Sequence, residues 1–219
     1  KVAADMPVFD KVERYQLGNG MNVVLLPIES PMPLVSTVLV FNVGDAHSGS
    51  VPGMADAAAS FLSPALDSDA LQRLGIGING FTTNDHTMFA ASGLDIYLGP
   101  MLKGMERLIK AGVYSQEQVE GWRKQLKERF KRKDYQVEVE YQRQIFTALY
   151  GADHPYTKNA VLSPESANGI GQDRLMSFKD EHYSAGNATL IVVGKFDPAR
   201  ARSIISDQFG GWSKGHIDE

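Results

Sequence analysis

The chain has 219 residues, of which 43% are hydrophobic and 22% charged, as in an ordinary folded protein that buries a real core. It contains no cysteine, which excludes disulfides, thiolate metal sites, iron–sulfur clusters and cysteine nucleophiles. The net charge of −4 argues against a nucleic-acid binder, and no apolar run approaches the ~18 residues that a membrane span needs.

Strands dominate the first part of the predicted structure, and helices the middle. β-Branched or apolar runs bounded by turn residues predict strands. The predicted strands are 12–17, 21–26, 34–43, 76–82, 87–92 and 189–193. Apolar residues at helical spacing predict helices. The predicted helices are 53–62, 69–74, 94–111, 115–133, 137–149, 173–183 and 198–209. Pro64 is predicted to end the first of them. Ser115 is the predicted N-cap of the fourth, which runs towards residue 133, and Gln118 completes its capping box.

The mixture of hairpin-like strand pairs and helices indicates an α+β fold. We expect a two-layer sandwich in which helices pack on one face of a twisted, mainly antiparallel sheet. The segment with Pro155 and Pro164 is predicted to be a loop. The glycine spacing of 75–80 resembles a nucleotide-binding loop only weakly, because a strand rather than a helix is predicted to follow it.

One segment is strongly basic. Arg123–Lys133 carries seven cations and one anion. It could be a patch that binds polyanions, but its position inside a helical pattern favours a solvated helix face.

Five phrases, in this order along the chain, resemble the pitrilysin/insulinase family of zinc metallopeptidases, whose relatives include the mitochondrial processing peptidase and the respiratory core proteins. They are LGNGMNVVLLP (17–27), VGDAHSGSVPGMA (43–55), LGIGINGFTTNDHTMF (74–89), YGADHPYTKNAV (150–161) and YSAGNATLIVVGKFDPARA (183–201). The resemblance covers most of the chain. It implies that 1–212 form one domain of this family and that 213–219 begin a linker to a second domain.

Active members of this family carry an inverted zinc motif, His-x-x-Glu-His, at the start of the first helix. Its histidines bind Zn²⁺ and its glutamate takes a proton from the metal-bound water. At the matching place this chain has Asp56 and Ser60 instead of the two histidines, and Ala59 instead of the glutamate. The resemblance therefore implies a degenerate motif with no catalytic residues.

The resemblance places the family's third zinc ligand at Glu128, which remains as a remnant. A relocated metal site of His47, Asp56 and Glu128 is an alternative, although it would have only one imidazole. A hydrolase triad drawn from Ser60 or Ser63 with Asp56 and His47 is disfavoured, because no nucleophile elbow surrounds these serines. We expect no cofactor in this domain and zinc in a partner half.

The leading hypothesis is a non-catalytic domain that binds peptide and closes a chamber together with a zinc-bearing half. The resemblance implies that an unfolded peptide adds a strand to the edge segment 77–83, at Asn79 and Gly80. A turn or edge role for Asn79 and a close-packing role for Gly80 are at least as compatible with the sequence.

Two other functional hypotheses remain. One is a purely structural scaffold like the respiratory core proteins, and the other is an enzyme with a rebuilt site. The expected partners are the zinc-bearing half and the unfolded peptide, without nucleic acid and without a membrane span. The resemblance and the missing signal segment favour the bacterial periplasm.

Overall fold

The computed structural model of the chain describes residues 11–62, 69–159 and 162–215. The described strands form one sheet in the order β1-β2-β6-β3-β5-β4. Its strands are β1 (Glu13–Gln16), β2 (Asn22–Pro27), β3 (Leu34–Phe41), β4 (Ile78–Thr82), β5 (Thr87–Leu94) and β6 (Ala188–Gly194). Neighbouring strands are antiparallel except for the parallel pair of β2 and β6. The mixed α and β fold with a mainly antiparallel sheet is as predicted.

Helices of the described ranges pack on one face of this sheet or on one another. They are α1 (Met54–Ser60), α2 (Asp69–Arg73), α3 (Leu98–Ala111), α4 (Gln116–Phe130), α5 (Lys133–Tyr150), α6 (Pro155–Asn159), α7 (Pro164–Ala167), α8 (Gln172–His182) and α9 (Pro198–Phe209). A short 3₁₀ turn, Asp45–His47, precedes α1. Among the described residues, none of these helices has the length and apolar character needed to cross a bilayer.

The core lies between the sheet and the helices. Along β3 the buried residues alternate with more exposed ones, and Leu39 and Phe41 are completely buried. Helix α3 turns an apolar stripe toward this layer, with Met101, Leu102 and Met105 also at 0% exposure. The apolar residues that repeat every two positions in the strand therefore pack against those that repeat about every 3.6 positions in the helix, and together they form one apolar layer.

Three local predictions are wrong. Leu94 is the last residue of β5 rather than the first of a helix, because it pairs with Leu34 across the sheet and α3 begins only at Leu98. Helix α4 ends at Phe130 instead of near 133, since Arg132 has extended backbone angles and serves as the N-cap of α5. No glycine or proline marks that break, so the sequence carries no conventional stop signal there.

The third wrong prediction is the loop around Pro155 and Pro164. Both prolines begin a short helix instead. Proline suits the first helical position, where its fixed φ is already helical and its missing N–H would have no helical partner. Ser163 caps the second of these helices by accepting a hydrogen bond from the N–H of Ser166. The predicted stop at Pro64 lies outside the described residues.

The centre of the core gives a stability prediction. Replacing Leu39 by alanine (Leu39→Ala) removes a fully buried side chain and leaves a cavity, so we expect the free energy of unfolding to fall by about 2–5 kcal/mol. Urea denaturation followed by tryptophan fluorescence measures this change. The control Gln142→Ala alters an exposed position of α5 and is expected to change stability by less than about 0.5 kcal/mol. Equal losses in the two variants would contradict the assigned core.

Candidate functional site

Helix α1 carries the three positions that were predicted to form a degenerate zinc motif. Five of its seven residues are buried. Asp56 and Ser60 are four residues apart on the exposed side of the helix, whereas Ala59 is buried at 2% exposure. The Ser60 hydroxyl donates a hydrogen bond to the Asp56 carboxylate. A carboxylate and a hydroxyl thus occupy this face of the helix and bind each other.

The last turn of α1 packs directly on β4. A Cβ atom built on Gly80 would lie 2.5 Å from the carbonyl oxygen of Ala59, which is too close for two non-bonded atoms. Glycine therefore lets the helix backbone approach the strand backbone. This contact supports a packing role for Gly80, whatever else the strand does.

Asp45 and Asp56 form a pair of neighbouring acids at the start of α1. Oδ1 of Asp45 accepts a hydrogen bond from the N–H of Asp56 at 3.3 Å. Burial, together with the nearby Asp56 carboxylate, raises the pKa of Asp45 from 3.8 to about 6. Burial of its carboxyl also raises the pKa of Asp56, although the residue as a whole is exposed. This pair could not be predicted from the sequence, because Asp45 lies eleven residues before its partner.

The loop that holds Asp45 is attached to the β4–β5 turn. The N–H groups of Asp45 and Ala46 donate to the carbonyl oxygens of Thr83 and Asn84 at 3.0 and 2.8 Å. A side chain on Gly44 would collide with the same carbonyl of Thr83, at 2.4 Å. These contacts fix the position of the loop against the hairpin.

Helix α6 is hydrogen-bonded both to the β4–β5 turn and to the loop that holds Asp45. The Tyr156 hydroxyl and Oδ1 of Asp85 are hydrogen-bonded at 2.6 Å, and Asn159 donates to the carbonyl oxygen of Ala46 at 3.3 Å. His154 stacks on Tyr150 with ring centroids 5.0 Å apart. The phrase at 150–161 therefore supports the motif helix through the loop and the turn. The aromatic residues of this phrase are the feature of the sequence that could have indicated the contact.

Glu128, which was predicted to be a remnant zinc ligand, lies on α4, where its carboxylate pairs with Lys131 at 2.7 Å and its side chain is 62% exposed. Nδ1 of the exposed His47 accepts a hydrogen bond from the N–H of Gly44. Across 11–62, 69–159 and 162–215, no three histidine or acidic side chains form a group that could hold a metal ion. The alternative site of His47, Asp56 and Glu128 is therefore not assembled. Ser63 of the disfavoured triad lies outside the described residues.

Strand β4 is an edge strand with backbone groups directed outward. The N–H of Thr83 donates to the carbonyl oxygen of His86, which makes these two residues a hydrogen-bonded pair. Because such pairs alternate along an antiparallel ladder, Phe81 and Asn79 also bond to β5. The backbone groups of Ile78 and Gly80 then point away from β5, at the open edge. The exposed Asn79 side chain lies on the sheet face opposite α1.

The basic run is partly structural. Arg123 donates to the carbonyl oxygens of Ala167 and Asn168 at 3.1 and 3.3 Å, and also to that of Ile170. The guanidinium thus holds the loop between α7 and α8 to α4. The remaining cations surround the α4–α5 junction, where Arg132 pairs with Asp134. The exposed cations agree with the predicted solvated helix face. The hydrogen bonds from Arg123 to the loop between α7 and α8 were not predicted.

Comparisons with known proteins converge on one family. Residues 169–218 match the Peptidase M16 inactive domain. An uncharacterised zinc protease of Mycobacterium leprae is 25% identical over 141 residues, which cover 64% of this chain and 32% of that protein. These matches confirm the predicted resemblance to the pitrilysin-like M16 peptidases.

Solved structures share the fold. The M16 inactive domain from Pseudomonas fluorescens superposes with a TM-score of 0.79 at 19% identity, over 95% of this chain and 52% of that one. The ferredoxin protease FusC in complex with Arabidopsis ferredoxin gives 0.78 at 22% identity, over 95% and 25%. The periplasmic protease PqqL from Escherichia coli gives 0.77 at 18%, over 98% and 25%. The chain thus spans about a third of the bacterial zinc protease and a quarter to a half of these M16 structures.

The contact between Gly80 and Ala59 gives the first prediction for this site. Gly80→Ala must push the end of α1 away from β4, and we expect a loss of about 1–3 kcal/mol in unfolding free energy. Gly121→Ala is the matched control, because Gly121 lies in α4 with open space around it and alanine favours helix by up to about 1 kcal/mol. Chemical denaturation should therefore give opposite signs for the two substitutions. A Gly80→Ala protein as stable as the natural one would contradict the close approach.

The second prediction concerns pH. The pKa of Asp45 is higher in the folded protein than in the unfolded chain, so stability should fall as pH rises from about 4 to about 6 and remain reduced above that. The groups facing this carboxyl are Asp56 on α1, the buried Tyr183 and His47 on its own segment. Asp45→Asn keeps an acceptor for the N–H of Asp56 but carries no charge. We expect it to raise the unfolding free energy at pH 7.5 by about 1–3 kcal/mol and to flatten the profile between pH 4 and 6.

Thermal or urea unfolding across pH 4–8 measures this effect. Asp153→Asn is the control, because the Asp153 side chain is 98% exposed. An Asp45→Asn profile that runs parallel to that of the natural protein would show that the acid pair has no energetic cost.

Proposed function

We propose that this chain is a non-catalytic M16 domain that binds unfolded peptide along β4 and closes a chamber together with a zinc-bearing half. The observation that carries the proposal is the combination of a motif helix without zinc ligands and an adjacent edge strand with outward backbone groups. A peptide that pairs with an edge strand gains main-chain hydrogen bonds without needing a particular sequence. Such binding suits a substrate that is unfolded.

The edge of β4 sets the geometry of this proposed binding. An added strand would bond to the backbone groups of Ile78 and Gly80. Asn79 would lie beside the added strand on the sheet face opposite α1, with its amide available to a peptide carbonyl or N–H. The packing role of Gly80 and a binding role for its backbone are compatible, because the close contact with Ala59 occupies one face of the strand and not its edge.

The zinc chemistry belongs, in this proposal, to a partner half. The Ala59 side chain cannot take a proton from a metal-bound water, and neither Asp56 nor Ser60 offers an imidazole. Support for a partner comes from the match to the inactive M16 domain and from the greater length of the related proteins. We further propose that 1–212 form one domain and 213–219 begin a linker; residues 216–219 of that linker lie outside the described ranges. The periplasmic relative supports a periplasmic location.

The scaffold hypothesis is the second candidate function. The contacts that hold the motif helix in place favour this function, because they make the region rigid. They include the close approach of Gly44 to Thr83 and the hydrogen bond between Tyr156 and Asp85. A scaffold needs no open edge, so the two functions differ in their dependence on β4.

Turnover of an unstructured peptide by the natural assembly tests the choice. We expect Asn79→Ala to raise the KM for the peptide severalfold with little change in kcat, because a lost hydrogen bond to bound substrate is worth about 1 kcal/mol. Arg14→Ala is the matched control, since Arg14 is exposed on the opposite edge strand β1. Identical kinetics for the natural protein and both variants would replace peptide binding at β4 by the scaffold function.

A further inference from the structure

The turn between β4 and β5 closes the hairpin that ends the described sheet. The N–H of Thr83 donates to the carbonyl oxygen of His86 at 2.8 Å, and the two residues between them are Asn84 and Asp85. The Thr83 hydroxyl accepts a hydrogen bond from the N–H of His86 at 3.1 Å. Within the described sheet β4 pairs only with β5. The placement of this edge therefore depends in part on contacts that reach the turn from outside the sheet.

Helix α6 supplies such a contact through Tyr156. The Tyr156 hydroxyl donates to Oδ1 of Asp85 at 2.6 Å, although the two residues are 71 positions apart in the sequence. A short hydrogen bond from a hydroxyl to a carboxylate is charge-assisted and belongs to the strong class. The same bond raises the pKa of Tyr156, so the phenol remains a donor at neutral pH. The tip of the hairpin is thus held to a helix that belongs to neither strand.

The Tyr156 ring is itself held in place. The N–H of Tyr156 donates to Nδ1 of His154 at 3.2 Å. The rings of Tyr150 and His154 lie edge-on to the Tyr156 ring, with centroids 5.1 and 4.8 Å away. Because these contacts restrict the ring, its hydroxyl is directed at Asp85 before any ligand binds. An interaction prepared in this way adds little ordering cost to a later binding step.

Strand addition depends on how well the receiving edge is ordered. A peptide that pairs with β4 needs the outward backbone groups of Ile78 and Gly80 at fixed positions. Any motion of the edge in the free protein must be lost on binding, and this loss weakens affinity. Asp85 belongs to the same hairpin as Ile78 and Gly80. A bond that holds the turn therefore reduces the ordering cost at the edge.

We propose that Tyr156 is a positioning residue for peptide capture: by holding Asp85, it orders the β4 edge to which an unfolded peptide adds. This inference rests on the proposed binding of peptide at β4. It gives α6 a role beyond rigidity, since the hydrogen bond acts on a surface that receives a ligand. The zinc chemistry is assigned to the partner half, so loss of the bond should weaken peptide binding and leave the chemical step unchanged.

Peptide turnover by the natural full-length assembly tests the proposal. Tyr156→Phe keeps the ring and removes only the hydroxyl, and it should raise the KM for an unstructured peptide about three- to tenfold with kcat unchanged. Tyr150→Phe is the matched control. The Tyr150 ring belongs to the same aromatic cluster, but its hydroxyl has no hydrogen-bond partner among the described residues. This control should leave KM within about twofold of the natural value.

Substitutions of Asp85 test the other end of the bond. Asp85→Asn retains an oxygen that accepts from Tyr156, so KM should stay within about twofold of the natural value. Asp85→Ala removes the acceptor and should reproduce the effect of Tyr156→Phe. The double variant should be no worse than either single variant, because both remove the same interaction. Additive increases in KM would overturn the proposal.

Amide hydrogen exchange separates positioning from a general loss of stability. Exchange across 78–86 should be severalfold faster in Tyr156→Phe than in Tyr150→Phe, while exchange in β3 stays unchanged. Equal acceleration of both segments, a fall in kcat at unchanged KM, or the same KM for the two phenylalanine variants would each overturn the proposal. In the last case Asn79→Ala distinguishes the two failures. A raised KM for Asn79→Ala means that the positioning role alone fails, whereas an unchanged KM means that peptide binding at β4 fails as well.

Discussion

The fit of one short helix against one edge strand organises the site. Helix α1 is almost entirely buried, and its last turn meets the β4 backbone with no room for a side chain at Gly80. Four of its seven residues are buried alanines, and they make this approach feasible because their side chains are too short to hold the helix away. The loop before α1 and the turn after β4 are then joined by two backbone hydrogen bonds. Rigid placement of the edge strand follows from these contacts.

The electrostatics of this region depend on two neighbouring acids, Asp45 and Asp56. Burial disfavours the ionised form of Asp45, and so does the neighbouring Asp56 carboxylate, whose negative charge repels that of Asp45. Hydrogen bonds from the Asp56 N–H and the Ser60 hydroxyl offset part of that repulsion. The remaining energetic cost is tolerable because packing of α1 on the sheet holds the segment in place.

Much of the architecture could be predicted, since it depends on local patterns. The β-branched runs of β3 and β6 and the apolar spacing of α3 mark their elements directly. The break between α4 and α5 could not be predicted, because it is stabilised by contacts such as Gln136 to the carbonyl of Phe130 and not by a breaker residue. Asp45 and Arg123 were missed for the same reason: their partners are distant in sequence or are backbone carbonyls, which no residue pattern reveals. The prediction of a degenerate motif at Asp56, Ala59 and Ser60 depends on residue identity alone, and it stays a prediction.

The order of strands along the chain has a consequence for how the protein is made. Strand β6 (Ala188–Gly194) lies between β2 and β3, which precede it by about 150 residues and do not pair with each other. During synthesis, the edges of β2 and β3 therefore stay unpaired until this much later strand has emerged from the ribosome. Until then two uncharged, hydrogen-bonding edges are open to pairing with other chains, which makes the growing polypeptide a natural client for chaperones. Pairing between strands that are far apart in sequence also slows folding, because the entropy of the long intervening loop is lost before the strand contacts contribute free energy.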